Sequence, residues 1–160
     1  IIMESVFYFF SSRLSAEWAV FLTAMLPFIE LRGAVPLGIS LGIAPLKVFF
    51  LAVCGNIIPI VPLLFLLDPV REFLIKRSKI MHKFFEWLYN RTIRKSSNVE
   101  KYGALGLILF TAVPFPTTGA WTASLAAVIF KIKFSYSFFS ISTGVLAAGI
   151  AVTLMSLAVI

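Results

Sequence analysis

A carboxylate and a guanidinium lie two residues apart inside an otherwise apolar run from Trp18 to Ile43. They belong to Glu30 and Arg32, and the residues that follow, Gly33 and Pro36, favour a break in the helical backbone. Each charge costs about 2.5 to 3.5 kcal/mol at the centre of a bilayer helix, so such residues are tolerated where they pair or face a wet cavity. The pair is therefore a candidate site for an ionic ligand or a coupling proton.

A second polar break lies between apolar segments about 85 residues later, and it is rich in proline and threonine. A half-helix that begins at such a break points its free N–H groups and positive dipole end at the cavity. Arg32 adds a planar fork that suits phosphate or carboxylate, and the amide of Asn56 interrupts another apolar segment. The predicted substrate-binding residues are Glu30, Arg32, Gly33, Pro36, Asn56, Pro114, Pro116, Thr117, Thr118, Gly119, Trp121 and Thr122.

Two structural alternatives accompany this interpretation. Glu30 and Arg32 also suit a buried ion pair that only locks the backbone, and Asn56 suits a hydrogen bond between helices. The first charged stretch also fits a short polar loop outside the hydrocarbon. Segment length argues against that loop.

The composition indicates an integral membrane protein. The chain is 60% hydrophobic, has a mean hydropathy of +1.00 and contains 17 phenylalanines in 160 residues. Its net charge of +7 lies beside membrane segments, which excludes nucleic acid as the expected partner. Because no nucleophile–base or metal-ligand pattern is visible, we expect no enzyme activity, metal or cofactor.

Segment lengths predict a re-entrant hairpin at residues 18–45 and a membrane span at residues 48–67. The two apolar pieces of the hairpin, Trp18–Ile29 and Ala34–Pro45, have 12 residues each, and a helix of that length measures about 18 Å. The hydrocarbon core is about 30 Å thick. Each piece is therefore predicted to enter the membrane without crossing it.

Residues 68–101 are predicted to form a basic amphipathic helix and linker on the cytoplasmic face. Asp68-Pro69 has the form of a helix N-terminus, with Asp as the cap and Pro at the first position. Apolar residues at near-helical spacing alternate with lysines and arginines, which is typical of a helix in the headgroup region. Its expected role is to anchor the topology or to attract anionic lipid.

The second half repeats the first, with a hairpin at residues 102–130 and a span at residues 134–160. Because one span separates the two hairpins, they enter from opposite faces, which predicts an inverted repeat. Eleven Lys and Arg residues then share one face, against Arg13 and Lys47 on the other. The positive-inside rule makes the basic face cytoplasmic. The predicted fold is one all-α membrane domain over residues 1–160.

The stretches Glu30–Gly38 and Pro114–Thr122 resemble the two signatures of the putative small multidrug export protein family, which is similar to the wider DedA-type membrane proteins. The resemblance covers most of the chain and implies paired re-entrant hairpins that face each other. The chain departs from the family pattern at Thr117 and Ala123, where the family has glycine. It also lacks the arginines that DedA-type members, linked to polyprenyl and phospholipid phosphates, carry around the second hairpin.

Three function classes follow. The first is a transporter that moves an anionic or amphipathic, lipid-phosphate-like substrate through a midplane site between the hairpins. The second is a proton-coupled small multidrug exporter that uses Glu30, and the third is a scaffold that transports nothing. The expected partners are membrane lipids, the small substrate and further copies of the chain in a homo-oligomer. The expected location is a prokaryotic plasma membrane.

Overall fold

A computed structural model describes residues 15–80, 82–84, 86–87, 99–113 and 118–159. Helices connected by short turns make up this part of the chain, and no strand occurs in it. The helices delimited within this part of the chain are α1 (Ala16–Met25), α2 (Glu30–Ser40), α3 (Pro45–Ile57), α4 (Ile60–Arg77), α5 (Val99–Ala112), α6 (Ala120–Ile129) and α7 (Phe134–Val159).

Two stretches are long and apolar enough to cross a membrane. One is Pro45–Arg77, where α3 and α4 follow each other with only residues 58–59 between them, and the other is α7. They contain 33 and 26 residues, so at about 1.5 Å per residue each exceeds the roughly 30 Å hydrocarbon core. The all-α membrane fold class is thereby supported at the level of secondary structure and hydropathy.

The packing of the bundle places small residues inside and large apolar residues outside. The buried core consists largely of alanine, valine and small polar side chains. The rings of Phe28, Phe65 and Phe139 are 95%, 62% and 69% exposed. In lipid, helices associate through close contact of small residues, whereas large apolar side chains face the acyl chains. The surface is therefore suited to a bilayer.

Two glycines bring the long helices close to the shorter ones. A Cβ at Gly55 of α3 would collide with the carbonyl oxygen of Phe21 in α1. A Cβ at Gly144 of α7 would lie 2.9 Å from the carbonyl oxygen of Ile108 in α5. Each long helix thus uses a glycine to approach the first helix of the preceding pair.

The helices form two groups that also contact each other. Helices α1, α2 and α3 pack together, and so do α5, α6 and α7. Between the groups, α2 and α3 pack on α7, and α4, which continues from α3, packs on α6. Helix α2 therefore lies between the long helices, where it can present residues to the second group.

The first break lies earlier than the sequence predicts. Helix α1 ends at Met25, residues 26–29 form a bend and a turn, and α2 then continues through both Gly33 and Pro36. Leu26 has extended dihedral angles (φ −76°, ψ 137°), as expected for a residue before proline, here Pro27. The helix is therefore interrupted by Pro27 and not by the glycine and proline of the charged motif.

The predicted helix start at Asp68-Pro69 is wrong, because α4 runs through it to Arg77. Asp68 does not cap a helix there but pairs with Arg71, one turn later, at 3.3 Å. The bounds of α7 and of the pair α5 and α6 agree more closely with the predicted bounds. Helix α5 nevertheless begins at Val99, before residue 102, where the second hairpin was predicted to start. Much of the predicted amphipathic segment, including residues 88–98, lies outside the described residues.

Candidate functional site

The turn before α2 fixes Glu30 in an unusual backbone conformation. Glu30 has a φ of 51°, in the left-handed region, where a residue with a Cβ costs about 1 to 2 kcal/mol. The backbone N–H of Glu30 donates to the carbonyl of Leu26 at 3.0 Å, and that of Gly33 donates to Ile29 at 3.2 Å. These bonds join the turn to the helix. Such strain concentrates at functional sites, so Glu30 remains the leading candidate residue.

The carboxylate of Glu30 lies at the N-terminus of α6 in the second group. Glu30 is 6% exposed, and its Oε1 accepts a hydrogen bond from the backbone N–H of Trp121 at 3.4 Å. The neighbouring Ala120 N–H also faces the carboxylate. A Cβ at Gly119 would collide with both carboxylate oxygens. A negative charge is thus held at the positive end of a helix dipole, in a recess that only glycine leaves open.

The guanidinium of Arg32 lies at the opposite kind of helix end. Its Nη2 donates to the carbonyl of Val113 at 2.9 Å and to that of Thr111 at 3.4 Å, where α5 ends. The same nitrogen lies 3.4 Å from Oγ1 of Thr118, whose hydroxyl donates to Val113 at 2.7 Å. Cations are favoured at the last carbonyls of a helix. Arg32 therefore compensates the negative end of α5.

The two charges are closer to these helix ends than to each other. Nη1 of Arg32 lies 3.9 Å from Oε2 of Glu30, near the limit of an ion pair. A reciprocal bond runs the other way, because the indole N–H of Trp121 donates to the carbonyl of Met25 at 3.2 Å, where α1 ends. Each break is thus stabilised by side chains from the other.

These contacts border a narrow space between the two breaks, called the closed space because a water molecule does not fit inside it. Asn56, which is 1% exposed, forms part of its wall. Any molecule of the size of water or larger therefore fits in this space only if the surrounding helices move apart. The residues that line the space are Glu30, Leu31, Arg32, Asn56, Thr111, Gly119, Ala120, Val145 and Ala148.

Several predicted site residues converge here, and others do not. Glu30, Arg32, Asn56 and Gly119 line the space, and Thr118 and Trp121 bond to members of this set. Among the remaining predicted residues, Thr122 bonds within its own helix, where its Oγ1 accepts from the Gly119 N–H at 2.9 Å. Gly33 and Pro36 lie in α2 outside the lining. Pro114, Pro116 and Thr117 lie outside the described residues.

Thr111 is a wall residue that was not among the predicted site residues. It is 1% exposed, and its hydroxyl donates to the carbonyl of Leu107 at 2.7 Å. A hydroxyl in the apolar segment just before the second break was the available signal. Leu31, Ala120, Val145 and Ala148 carry no such signal, because apolar residues are common throughout the chain.

Arg71 makes a second contact between an arginine and a helix end. Its side chain is 11% exposed, pairs with Asp68 and donates from Nη1 to the carbonyl of Val128 at 3.4 Å, in the last turn of α6. The predicted amphipathic helix therefore has one arginine turned inward, while apolar side chains such as Phe73 are exposed on its surface. Within the described residues, no group of three His, Cys, Asp or Glu side chains is placed to hold a metal ion.

Comparison with known proteins gives one match. No curated protein and no solved structure matches the chain. The sequence profile of one family matches residues 30–151, which is more than half of the chain and begins at Glu30. The matched range begins directly after the first break and contains the second break, the residues that line the closed space and most of both long helices. The chain belongs to the family described as "Putative small multi-drug export protein".

Proposed function

We propose that this protein is a membrane transporter that carries an anionic or amphipathic, lipid-phosphate-like substrate through the closed site between the two breaks. One observation carries the proposal: Glu30 and Arg32, in the first turn of α2 directly after the first break, contact the helix ends on the two sides of the second break. The site is thus built where two interrupted helix pairs meet, as in transporters made of broken helices. The family description, which names an export protein, supports a transport function.

The proposal treats α1–α2 and α5–α6 as re-entrant hairpins. These helices contain 10, 11, 14 and 10 residues, so they measure roughly 15 to 21 Å and are shorter than the bilayer core. Non-helical backbone at membrane depth must be covered by protein or face a cavity, and here each break covers the other. The same helix pairs are in contact within both groups, which supports a repeat. Because one long stretch, Pro45–Arg77, separates the two helix pairs, the proposal orients them in opposite directions, with the basic face cytoplasmic in a prokaryotic plasma membrane.

An anionic substrate fits the electrostatics of the site best. The N-terminus of α6 is an anion site, and Glu30 supplies the anion while the site is closed. Arg32 lies beside it as a permanent cation with a fork suited to phosphate. When the breaks separate, a phosphate or carboxylate of the substrate replaces the Glu30 carboxylate against the same donors.

A lipophilic cation is the second candidate substrate, and the family's export description favours it. Glu30 would then be the ligand for the cation. Nη1 of Arg32 lies 3.9 Å from that carboxylate, so a bound cation meets a like charge at close range. Glu30 therefore competes with the substrate if the substrate is an anion, and binds the substrate if it is a cation.

The test is the sign of the effect of Glu30→Gln in reconstituted liposomes. With a fluorescent lipid phosphate as probe, removing the internal competitor should strengthen binding about tenfold, since contacts with charged groups contribute roughly 1.5 to 3 kcal/mol. Arg32→Gln should weaken it by a similar factor. Binding of a lipophilic cation should be lost in Glu30→Gln if the second candidate is correct.

Glu17→Gln is the matched control, because Glu17 pairs with Lys47 on the surface and lies outside the closed space. It should leave both probes unchanged. Weaker lipid-phosphate binding in Glu30→Gln, together with cation binding that persists in Arg32→Gln, would replace the anion proposal by the exporter. If neither Glu30→Gln nor Arg32→Gln changes the binding of either probe, the scaffold function would be favoured.

A further inference from the structure

Asn56 is a buried acceptor that the closed site leaves without a donor. It lies in α3 and is 1% exposed, and its Oδ1 has no hydrogen-bond partner among the described residues. It lines the same closed space as Glu30, Arg32 and Thr111. Because that space has no room for a water molecule, solvent cannot supply the missing hydrogen bond there.

Two of the polar side chains in the wall, Thr111 and Glu30, do not offer Asn56 a donor, and Nη2 of Arg32 donates to the carbonyls of Val113 and Thr111. The hydroxyl of Thr111 is used within its own helix, since it donates to the carbonyl of Leu107 at 2.7 Å. The carboxylate of Glu30 is itself an acceptor when ionised. Buried side-chain carbonyls are normally hydrogen-bonded, and an exception beside a binding site calls for a donor that arrives with the ligand.

We infer that Asn56 selects substrates that carry a hydroxyl group next to their anionic group. This inference rests on the proposed function, because it uses the same site and the same anion position. A hydroxyl satisfies the Oδ1 of Asn56 while the anion takes the place of the Glu30 carboxylate. A charged ammonium donor is disfavoured, because Arg32 lines the same space and repels a second cation. The substrate class is thus a hydroxylated amphipathic phosphate or carboxylate.

The experiment compares two probes that differ only by this hydroxyl. One is a dodecylglycerol phosphate, whose middle carbon carries a hydroxyl, and the other is the matching deoxy compound. Reconstituted wild-type protein should bind the first about tenfold more tightly, since an unmet buried acceptor discriminates against an analogue without the donor. Equal binding by the wild-type protein would overturn the inference without any substitution.

Asn56→Leu has a similar volume and removes the acceptor, so its preference for the hydroxylated probe should disappear. The matched control is Thr23→Val, because Thr23 in α1 is also fully buried with an unpartnered oxygen but does not line the site. It should keep the preference. A preference that survives in Asn56→Leu would contradict the role of Asn56.

The outcome for Arg32→Gln separates this inference from the proposed function. Arg32→Gln should weaken the binding of both probes by the same factor, because both carry the same anionic group. If Arg32→Gln has no effect on either probe, the proposed anion site is wrong. If it weakens both while the wild-type protein shows no preference between them, only the inference about Asn56 fails.

Discussion

The first turn of α2, directly after the first break, carries both charged side chains of the site, whereas neither the second break nor the first turn of α6 carries a charge. The first half of the site thus contributes Glu30 and Arg32, and the second contributes a helix N-terminus and the carbonyls at a helix C-terminus. Half-charges at helix ends are thus matched by full charges from the partner break. The second break needs no charge of its own, because its backbone supplies the complementary partial charges.

This difference explains how two charges can lie in the apolar interior. A buried ion pair rarely recovers the cost of desolvation by itself. Here each charge has its own backbone partners, and Trp121 returns a bond to the end of α1. We therefore expect neither break to keep its structure without the other, so that under the proposed transport function the two would open and close as a unit.

The largest expected effect concerns the orientation of the two hairpins, because accessibility is all or none. Single cysteines at Lys47 and Lys133, at the ends of the two hairpins, should react with an impermeant thiol reagent from opposite sides of the membrane. A cysteine at Lys83 should react from the same side as Lys133. The background is Cys54→Ala, which removes the one native cysteine. Reaction of Lys47 and Lys133 positions from one side would exclude the inverted repeat.

Segment lengths allowed the helix pairs and long helices to be predicted, because helix length and hydrophobicity depend on local sequence. The position of the first break was predicted wrongly, because the break was assigned to the charged residues and to Gly33 and Pro36, whereas the helix is interrupted at Pro27. A sequence pattern shared by the two breaks indicates the correct position of the first one. Both have a Pro-Phe pair followed shortly by Gly-Ala, at Pro27-Phe28 with Gly33-Ala34 and at Pro114-Phe115 with Gly119-Ala120.

The candidate site could be predicted only in part. Charged and polar residues in apolar segments, such as Glu30, Arg32 and Asn56, are conspicuous in a membrane sequence because each is costly there. Which backbone groups they contact depends on how two distant segments pack, and no local pattern contains that information. The inward orientation of Arg71 was hidden for the same reason, since it lies within a run of surface cations.

Gly119 gives the most direct way to break the contact between the two breaks. Gly119→Ala places a methyl group against the Glu30 carboxylate and should displace it from the N-terminus of α6. The free energy of unfolding in detergent should fall by about 3 kcal/mol, since a buried charge that loses its partners costs roughly 3–5 kcal/mol. Gly106→Ala is the control, because no atom lies within 4 Å of a Cβ at Gly106 in α5. An equal and small effect of both substitutions would mean that the Glu30 contact contributes little.

The smallest expected effects concern the C-terminal ends of α2 and α6, because both helices end with the same backbone motif but with different residues. Gly42 after α2 has a φ of +78°, and Lys131 after α6 has a φ of +54°. The backbone at each of these two helix ends then makes the two hydrogen bonds of a Schellman motif. These bonds are Gly42 to Ile39, Ile43 to Gly38, Lys131 to Val128 and Ile132 to Ala127, at 2.9, 3.3, 3.2 and 3.0 Å.

Exchanging the residue types should therefore have opposite effects on the two halves. Gly42→Ala should lower the free energy of unfolding by about 1 kcal/mol, because left-handed backbone is strained for a residue with a Cβ, whereas the site itself has space for the methyl group. Lys131→Gly should raise it by roughly 0.5 kcal/mol, since the relief of strain exceeds the entropic cost of glycine only slightly. Thermal unfolding of both variants and of Lys131→Asn, which tolerates this conformation, measures the difference. Loss of stability in both Lys131 variants would show that the lysine side chain contributes more than its backbone strain costs, and the two helix ends would then differ in function as well as in sequence.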